Sequence, residues 1–174
     1  MQPKTILLVD GANTFTASKM LGFHIDYKKL YEVLLAENDI VRANYYTAVK
    51  PNTGENDPII RLVDWLAYNE WKVVKKLVRV YNNDEGEIMK GNMDVEISID
   101  AIMMMHQYDH LILASGDGDF CYLVDTLQRA GKEITVLSTM ATNPPMVASL
   151  LRREADHFLE LREFIPLIAR QREF

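Results

Sequence analysis

The sequence predicts an α/β protein with a mostly parallel central sheet. Three observations carry that reading: short aliphatic and β-branched runs without polar alternation, helical apolar spacing between them, and cap or turn residues at the junctions. Thr5 to Asp10 (Thr-Ile-Leu-Leu-Val-Asp) has the pattern of a strand buried on both faces, punctuated by Gly11. Asp26 can cap a helix carrying Leu30, Val33 and Leu34, which ends near Asn38. Val41–Val49 reads as a strand. Asp57-Pro58 is a cap followed by proline at the first helical position, with Ile59, Val63, Leu66 and Ala67 as the apolar stripe. Trp71–Val80 follows as the next strand. Polar residues from Asn82 to Gly86 indicate a loop or exposed hairpin.

Helical spacing resumes after Gly91, with Val95, Ile99, Ile102 and His106 near one face and Met103 beside them. His110–Ala114 is a short, strongly apolar strand. Asp119–Ala130 is helical, and Gly131 takes the position just beyond its end where a left-handed conformation is favoured. Glu133–Leu137 is a further buried strand, and Asn143-Pro144 opens a helix through Arg153. Phe158-Leu159 adds a short edge strand before a C-terminal helix.

A chain of 174 residues, 48% hydrophobic and 25% charged, can bury one ordinary core, so residues 1–174 are expected to form a single domain without linker or internal repeat. The lone Cys121 cannot form an internal disulfide, and Met1 does not begin a basic-then-apolar leader; both point to the cytoplasm. The longest apolar runs fall far short of the ~20 residues a membrane span needs, so no membrane partner is expected. A formal net charge of −6 argues against broad electrostatic attraction to nucleic acid. It leaves open a local basic groove, or an acidic site whose charge a divalent cation reverses.

In parallel sheets ligands bind beyond the carboxyl ends of the strands, so acids there count most. Asp10 ends the first strand, with Gly11 and Asn13 following as turn formers. Ser115-Gly116-Asp117-Gly118-Asp119 follows the strand at His110–Ala114. Asp119 is explained as a helix cap, whereas Asp117 is not, and it falls beside Asp10 if the two strands are neighbours. Asp94 opens a helix, where a carboxylate complements the dipole, and it borders the apolar stripe, from which its carboxylate could reach around the sheet's edge into the same cleft. Asp100, six residues on, projects roughly 120° away and belongs to a second rank. Carboxylates converging without counter-charge repel strongly, and oxygen-only ligands favour Mg²⁺ or Mn²⁺ over zinc. Such an ion can activate water and support displacement at a phosphodiester.

Three segments resemble the NYN domain family, especially its bacterial LabA-like branch, which is related to the PIN-domain nucleases. They are Leu7–Asn13, Lys90–Val95 and Leu113–Phe120, in that order. The resemblance implies a PIN-like, Rossmann-like three-layer α/β/α sandwich and a metal-dependent endoribonuclease acting on single-stranded or structured RNA. Carried over by position, Asp10, Asp94, Asp117 and Asp119 become the catalytic and metal-holding acids. Asn13, Lys90 and Ser115 become supporting or substrate-binding residues.

Lys72, Lys75, Lys76 and Arg79, with Arg42 and Lys50, read first as solvated edge charges. Lining the cleft beside Tyr45, Tyr46 or Tyr81, they would attract the backbone and stack the bases of single-stranded RNA. The histidines are scattered, which argues against a histidine metal site. Met103-Met104-Met105 suggests core and a homodimer surface. A Gly-x-Gly-x-x-Gly turn and a P-loop are missing, and Ala12 stands where a dehalogenase-type phosphatase has its second aspartate. The alternatives are a Toprim-like nucleic-acid enzyme, suggested by Asp117-Gly118-Asp119, and a catalytically silent RNA-binding or signalling module of the same fold.

Overall fold

The computed structural model describes residues 1–83 and 86–170, the side chains of 83 and 87–90 excepted. In chain order the elements are β1 (Lys4–Asp10), α1 (Gly11–Met20), α2 (Tyr27–Leu35), β2 (Asp39–Val49), α3 (Pro58–Tyr68), β3 (Lys72–Leu77), β4 (Arg79–Asn83), β5 (Gly86–Lys90), α4 (Asp94–Met103), β6 (His110–Ala114), α5 (Cys121–Arg129), β7 (Glu133–Ser138), α6 (Ser149–Glu154), β8 (His157–Glu160) and α7 (Leu161–Ile168). Six strands form one sheet in the order β3-β2-β1-β6-β7-β8, with every neighbouring pair parallel. β4 and β5 form a separate antiparallel ribbon.

The β1 side chains alternate between the two faces of the sheet, as a period of two requires. Ile6 and Leu8 join Ile97, Ala101, Leu123, Leu127 and Leu151, which come from α4, α5 and α6. Leu7 and Val9 join Ala17, Leu30, Leu66 and Ile168, which come from α1, α2, α3 and α7. Burial on both faces is what gives β1 and β6 their unbroken apolar runs. The sheet winds outward in both directions from the β1–β6 pair, so strand order reverses there and a crevice opens at the carboxyl ends of those two strands. Among the described residues no helix is long and apolar enough to cross a membrane.

Several elements depart from the sequence expectations. A helix, α1, starts directly after β1 where only a turn was read. Its buried face is Gly11, Thr14, Ala17 and Ser18, too small and polar to write an apolar stripe. The expected strand Trp71–Val80 breaks after Leu77, and its remainder joins the β4–β5 ribbon, so the exposed hairpin is longer than the polar run alone suggested.

In α4 the buried side is Met93, Ile97, Ala101 and Met104, not the stripe of Val95, Ile99 and Ile102. Val95 is 63% exposed and Ile99 54%. The methionine run divides accordingly, with Met104 in the core and Met103 outside. The helix expected from Asn143 begins at Ser149. The preceding segment instead bonds back to the sheet end, through Met146 N–H to the Thr139 carbonyl at 3.1 Å and Ala148 N–H to the Gly116 carbonyl at 2.9 Å.

Candidate functional site

Asp10 ends β1 and caps α1, so its carboxylate sits where the sheet stops and the helix N–H groups begin. Its Oδ1 accepts the Asn13 N–H at 3.2 Å, and its Oδ2 accepts the Ser115 hydroxyl at 2.9 Å. The Ser115 Oγ in turn accepts the Asp117 N–H at 3.2 Å, while the Asn13 side-chain carbonyl accepts the Gly116 N–H at 2.9 Å. Two side chains from the β1–α1 junction are therefore stitched to the loop after β6. Ser115 is fully buried and acts on Asp10 and Asp117, a positioning role rather than contact with a substrate.

Two glycines permit this closeness. A Cβ on Gly11 would lie 2.6 Å from the Tyr46 carbonyl oxygen and 2.7 Å from the Tyr45 ring. A Cβ on Gly116 would collide with the Met146 carbonyl oxygen and lie 2.6 Å from the Ser138 Oγ. The segment 143–148 thus forms the floor beneath the acidic loop.

Asp117 caps the 3-10 turn Gly118–Phe120 and accepts the Asp119 N–H at 2.9 Å. Asp94 opens α4, and the Asn92 side-chain amide donates to its Oδ2 at 2.6 Å. Asp94, Asp117 and Asp119 each present a carboxylate oxygen, and the three oxygens lie within 4.8 Å of one another. Asp10 stands behind this group. Burial pushes its carboxyl up from the ordinary range, and the charge of Asp117 adds to the shift. Burial and then the charges of Asp117, Asp10 and Asp119 push Asp94 up to about 6, with Lys76 opposing them. Neighbouring carboxylates that raise one another's proton affinity form the kind of site a divalent cation relieves. The donor set is all oxygen, so the residues present fit Mg²⁺ or Mn²⁺.

Asp100 lies outside this group of three. Its Oδ2 accepts the Tyr46 hydroxyl at 2.8 Å, and that hydroxyl accepts the Asn44 amide at 2.9 Å. Tyr45 and Tyr46 are core residues, so the expectation that they stack bases is overturned: the sheet and its helices cover both rings. The Lys90 side chain lies outside the described residues. Sequence reasoning passed over Glu96, whose carboxylate receives the Lys76 ammonium at 2.9 and 3.1 Å, and Asn92 as the partner of Asp94. Lys76, Arg79 and Tyr81, which the sequence placed at the cleft only as the second choice after solvated edge charges, share a cavity with Asn92.

A doubly wound parallel sheet with aspartates gathered at its switch point is an α/β arrangement shared by the PIN-like, nuclease-type fold of the NYN domain. The NYN domain pattern matches residues 4–162, and the chain belongs to that family. It is 30% identical over 176 residues to the "Low amplitude and bright protein LabA" of Synechococcus elongatus, an alignment that covers 97% of this chain and 90% of that protein. A crystal structure of a Vibrio parahaemolyticus protein of unknown function superposes with a TM-score of 0.73 at 29% identity, covering 92% of this chain and 93% of that one.

Proposed function

We propose that the protein is a cytoplasmic, Mg²⁺- or Mn²⁺-dependent endoribonuclease that hydrolyses phosphodiester bonds of single-stranded RNA. The observation that carries the reading is the gathering of the Asp94, Asp117 and Asp119 oxygens within 4.8 Å, directly in front of the buried Asp10. Asp94, Asp117 and Asp119 would hold the ion, with Asp10 behind them. The ion, when bound, supplies charge stabilisation at the scissile phosphate and a more acidic water. The chain's own residues do the rest. Ser115 and the Asn13 N–H fix the Asp10 carboxylate, and Ser115 also fixes the backbone of Asp117. Asn92 fixes the Asp94 carboxylate through one of its oxygens. Membership of the NYN family supports the reading.

The test pairs cleavage with a readout independent of it. A labelled single-stranded RNA should be cut in Mn²⁺ and spared in EDTA, and Asp117→Asn should lower the rate at least 100-fold. Excess Mn²⁺ should also stabilise the wild-type fold, by about 2.7 kcal/mol at a hundredfold excess over the dissociation constant. The variant should lose most of that shift, because an amide cannot replace a carboxylate charge at a hard cation. Cleavage that ignores chelator, or a variant that keeps both rate and shift, would move the chemistry away from this cluster.

A further inference from the structure

Beside the acidic group lies an open cavity of about 690 Å³, whose lining includes Lys76, Arg79, Tyr81, Gly91, Asn92 and Glu96. Its wall is built where the chain leaves the sheet: β3 ends at Leu77, Val78 N–H still reaches the Val49 carbonyl at 2.8 Å, and β4 departs from Arg79. Arg79 and Tyr81 are two apart on one strand and so share a face. Tyr81 is 48% exposed, so its ring is open to solvent on the cavity side. The cavity is continuous with the metal-type cluster through Asn92, which lines the cavity and holds Asp94 at 2.6 Å. At this junction the cation character of the wall is divided. Lys76 is neutralised by Glu96 at 2.9 Å, whereas no ion pair involving Arg79 occurs among the described residues.

We propose that this cavity is a subsite for an unpaired nucleotide of an RNA strand. Tyr81 stacks on its base and Arg79 holds its phosphate, one step along the strand from the phosphate that meets Asp94, Asp117 and Asp119. The inference rests on the RNA-hydrolysis reading and adds what that reading lacks, a reason for preferring unpaired strands. A paired base has both faces covered by its neighbours and cannot offer one to Tyr81, whereas a splayed single-stranded base can. A volume of about 690 Å³ lies within the range of small-ligand sites. The open side lets a polymer enter and leave.

The experiment measures binding of a labelled ten-nucleotide oligoadenylate in Ca²⁺, across a salt series, and repeats it with the same strand paired to oligouridylate. Wild type should prefer the single strand. Tyr81→Ala should weaken single-strand binding roughly 5- to 100-fold, the range for loss of one stacked base, and should erase most of the preference. Tyr81→Phe should stay within about twofold, since the ring remains. Arg79→Ala should make the dependence of log affinity on log salt shallower by about one. Tyr81→Ala binding as tightly as wild type, Tyr81→Phe failing as badly as Tyr81→Ala, or equal affinity for duplex and single strand would each overturn the subsite. Separate assays with Mn²⁺ keep the two readings apart. Tyr81-dependent binding without cleavage supports the subsite and removes the hydrolysis, and cleavage with Tyr81-independent affinity does the reverse.

Discussion

Asp10 and Asp94 both stand at the start of a helix and face the same cleft, yet the protein treats them differently. Asp10 is only 6% exposed, and both of its oxygens are bonded to protein groups, the Asn13 N–H and the Ser115 hydroxyl. Asp94 caps nothing, receives a single side-chain bond from Asn92, and has its proton affinity raised by burial and by three neighbouring acids. One carboxylate is built into the scaffold. The other is held in a charged state that the metal-free fold does not favour, and that a cation at the same place would stabilise. The contrast separates a residue bonded into the cleft wall from one whose charge the protein leaves largely uncompensated.

The largest expected effect comes from breaking the scaffold side. Gly116→Ala drives a methyl into the Met146 carbonyl of the floor beneath the acidic loop and toward the Ser138 hydroxyl at the end of β7. A loss on the order of 3 kcal/mol or more is expected from such overpacking against backbone. Chemical denaturation measures it. A variant as stable as wild type would mean that segment 143–148 yields easily, and that the acidic loop is not held from below.

Next in size is Asp10→Ala. It removes the acceptor of two buried or half-buried donors and the cap of α1, and should cost about 1–3 kcal/mol. Thr14 keeps its own bond to the Asp10 carbonyl at 2.8 Å, so the helix start is weakened rather than lost. If Asp10→Ala proves more stable than wild type, then the burial of its charge outweighs its bonds and the two acids are alike after all.

How much of this was legible in the sequence depends on whether one segment or several decide the matter. The runs at Thr5–Val9 and His110–Ala114 announce doubly buried strands by themselves; Asp117 stood out because the cap was assigned to Asp119, an assignment the structure reverses, since Asp117 caps the turn and accepts the Asp119 N–H. These sufficed for the parallel sheet and for the acids at its carboxyl edge. Helix α1 was hidden because its inward face carries Gly11, Thr14, Ala17 and Ser18, residues a close-packed junction requires and a hydrophobicity pattern ignores.

The inward face of α4 was misread because its sequence holds two apolar stripes, Val95-Ile99-Ile102 and Ile97-Ala101 extended by Met93 and Met104. Tertiary packing chose the second, which places Met93 in the core and so turns Asp94 toward Asp117. The Arg79–Tyr81 wall was ranked below a solvated edge for a different reason. Strand propensity continues through Val78, and only the sheet's end at Leu77 shows where the chain turns away.

The smallest expected effect is also the one most specific to the comparison, and it concerns Asp94→Asn. The folded-state value of about 6 exceeds the ordinary 3.8, so between those two values the folded protein binds more protons than the unfolded chain. Stability linked to this group is complete below about pH 3.8, declines as pH rises toward about 6, and stays at its reduced level above that. Asp94→Asn keeps an oxygen to accept from Asn92 but carries no charge, so it should escape the decline. The variant should match wild type near pH 4 and exceed it near pH 7.5 by on the order of 1 kcal/mol, a figure discounted for the solvent that screens a half-buried group. Part of the pH slope should survive in the variant, because Asp10 is shifted in the same direction and remains. Metal-free melting curves at several pH values read both effects, and excess Mn²⁺ should flatten the wild-type slope while leaving that of Asp94→Asn nearly unchanged. Parallel slopes for wild type and variant would place Asp94 with Asp10 as a settled part of the scaffold, and the division of the cleft into holding and held acids would fall.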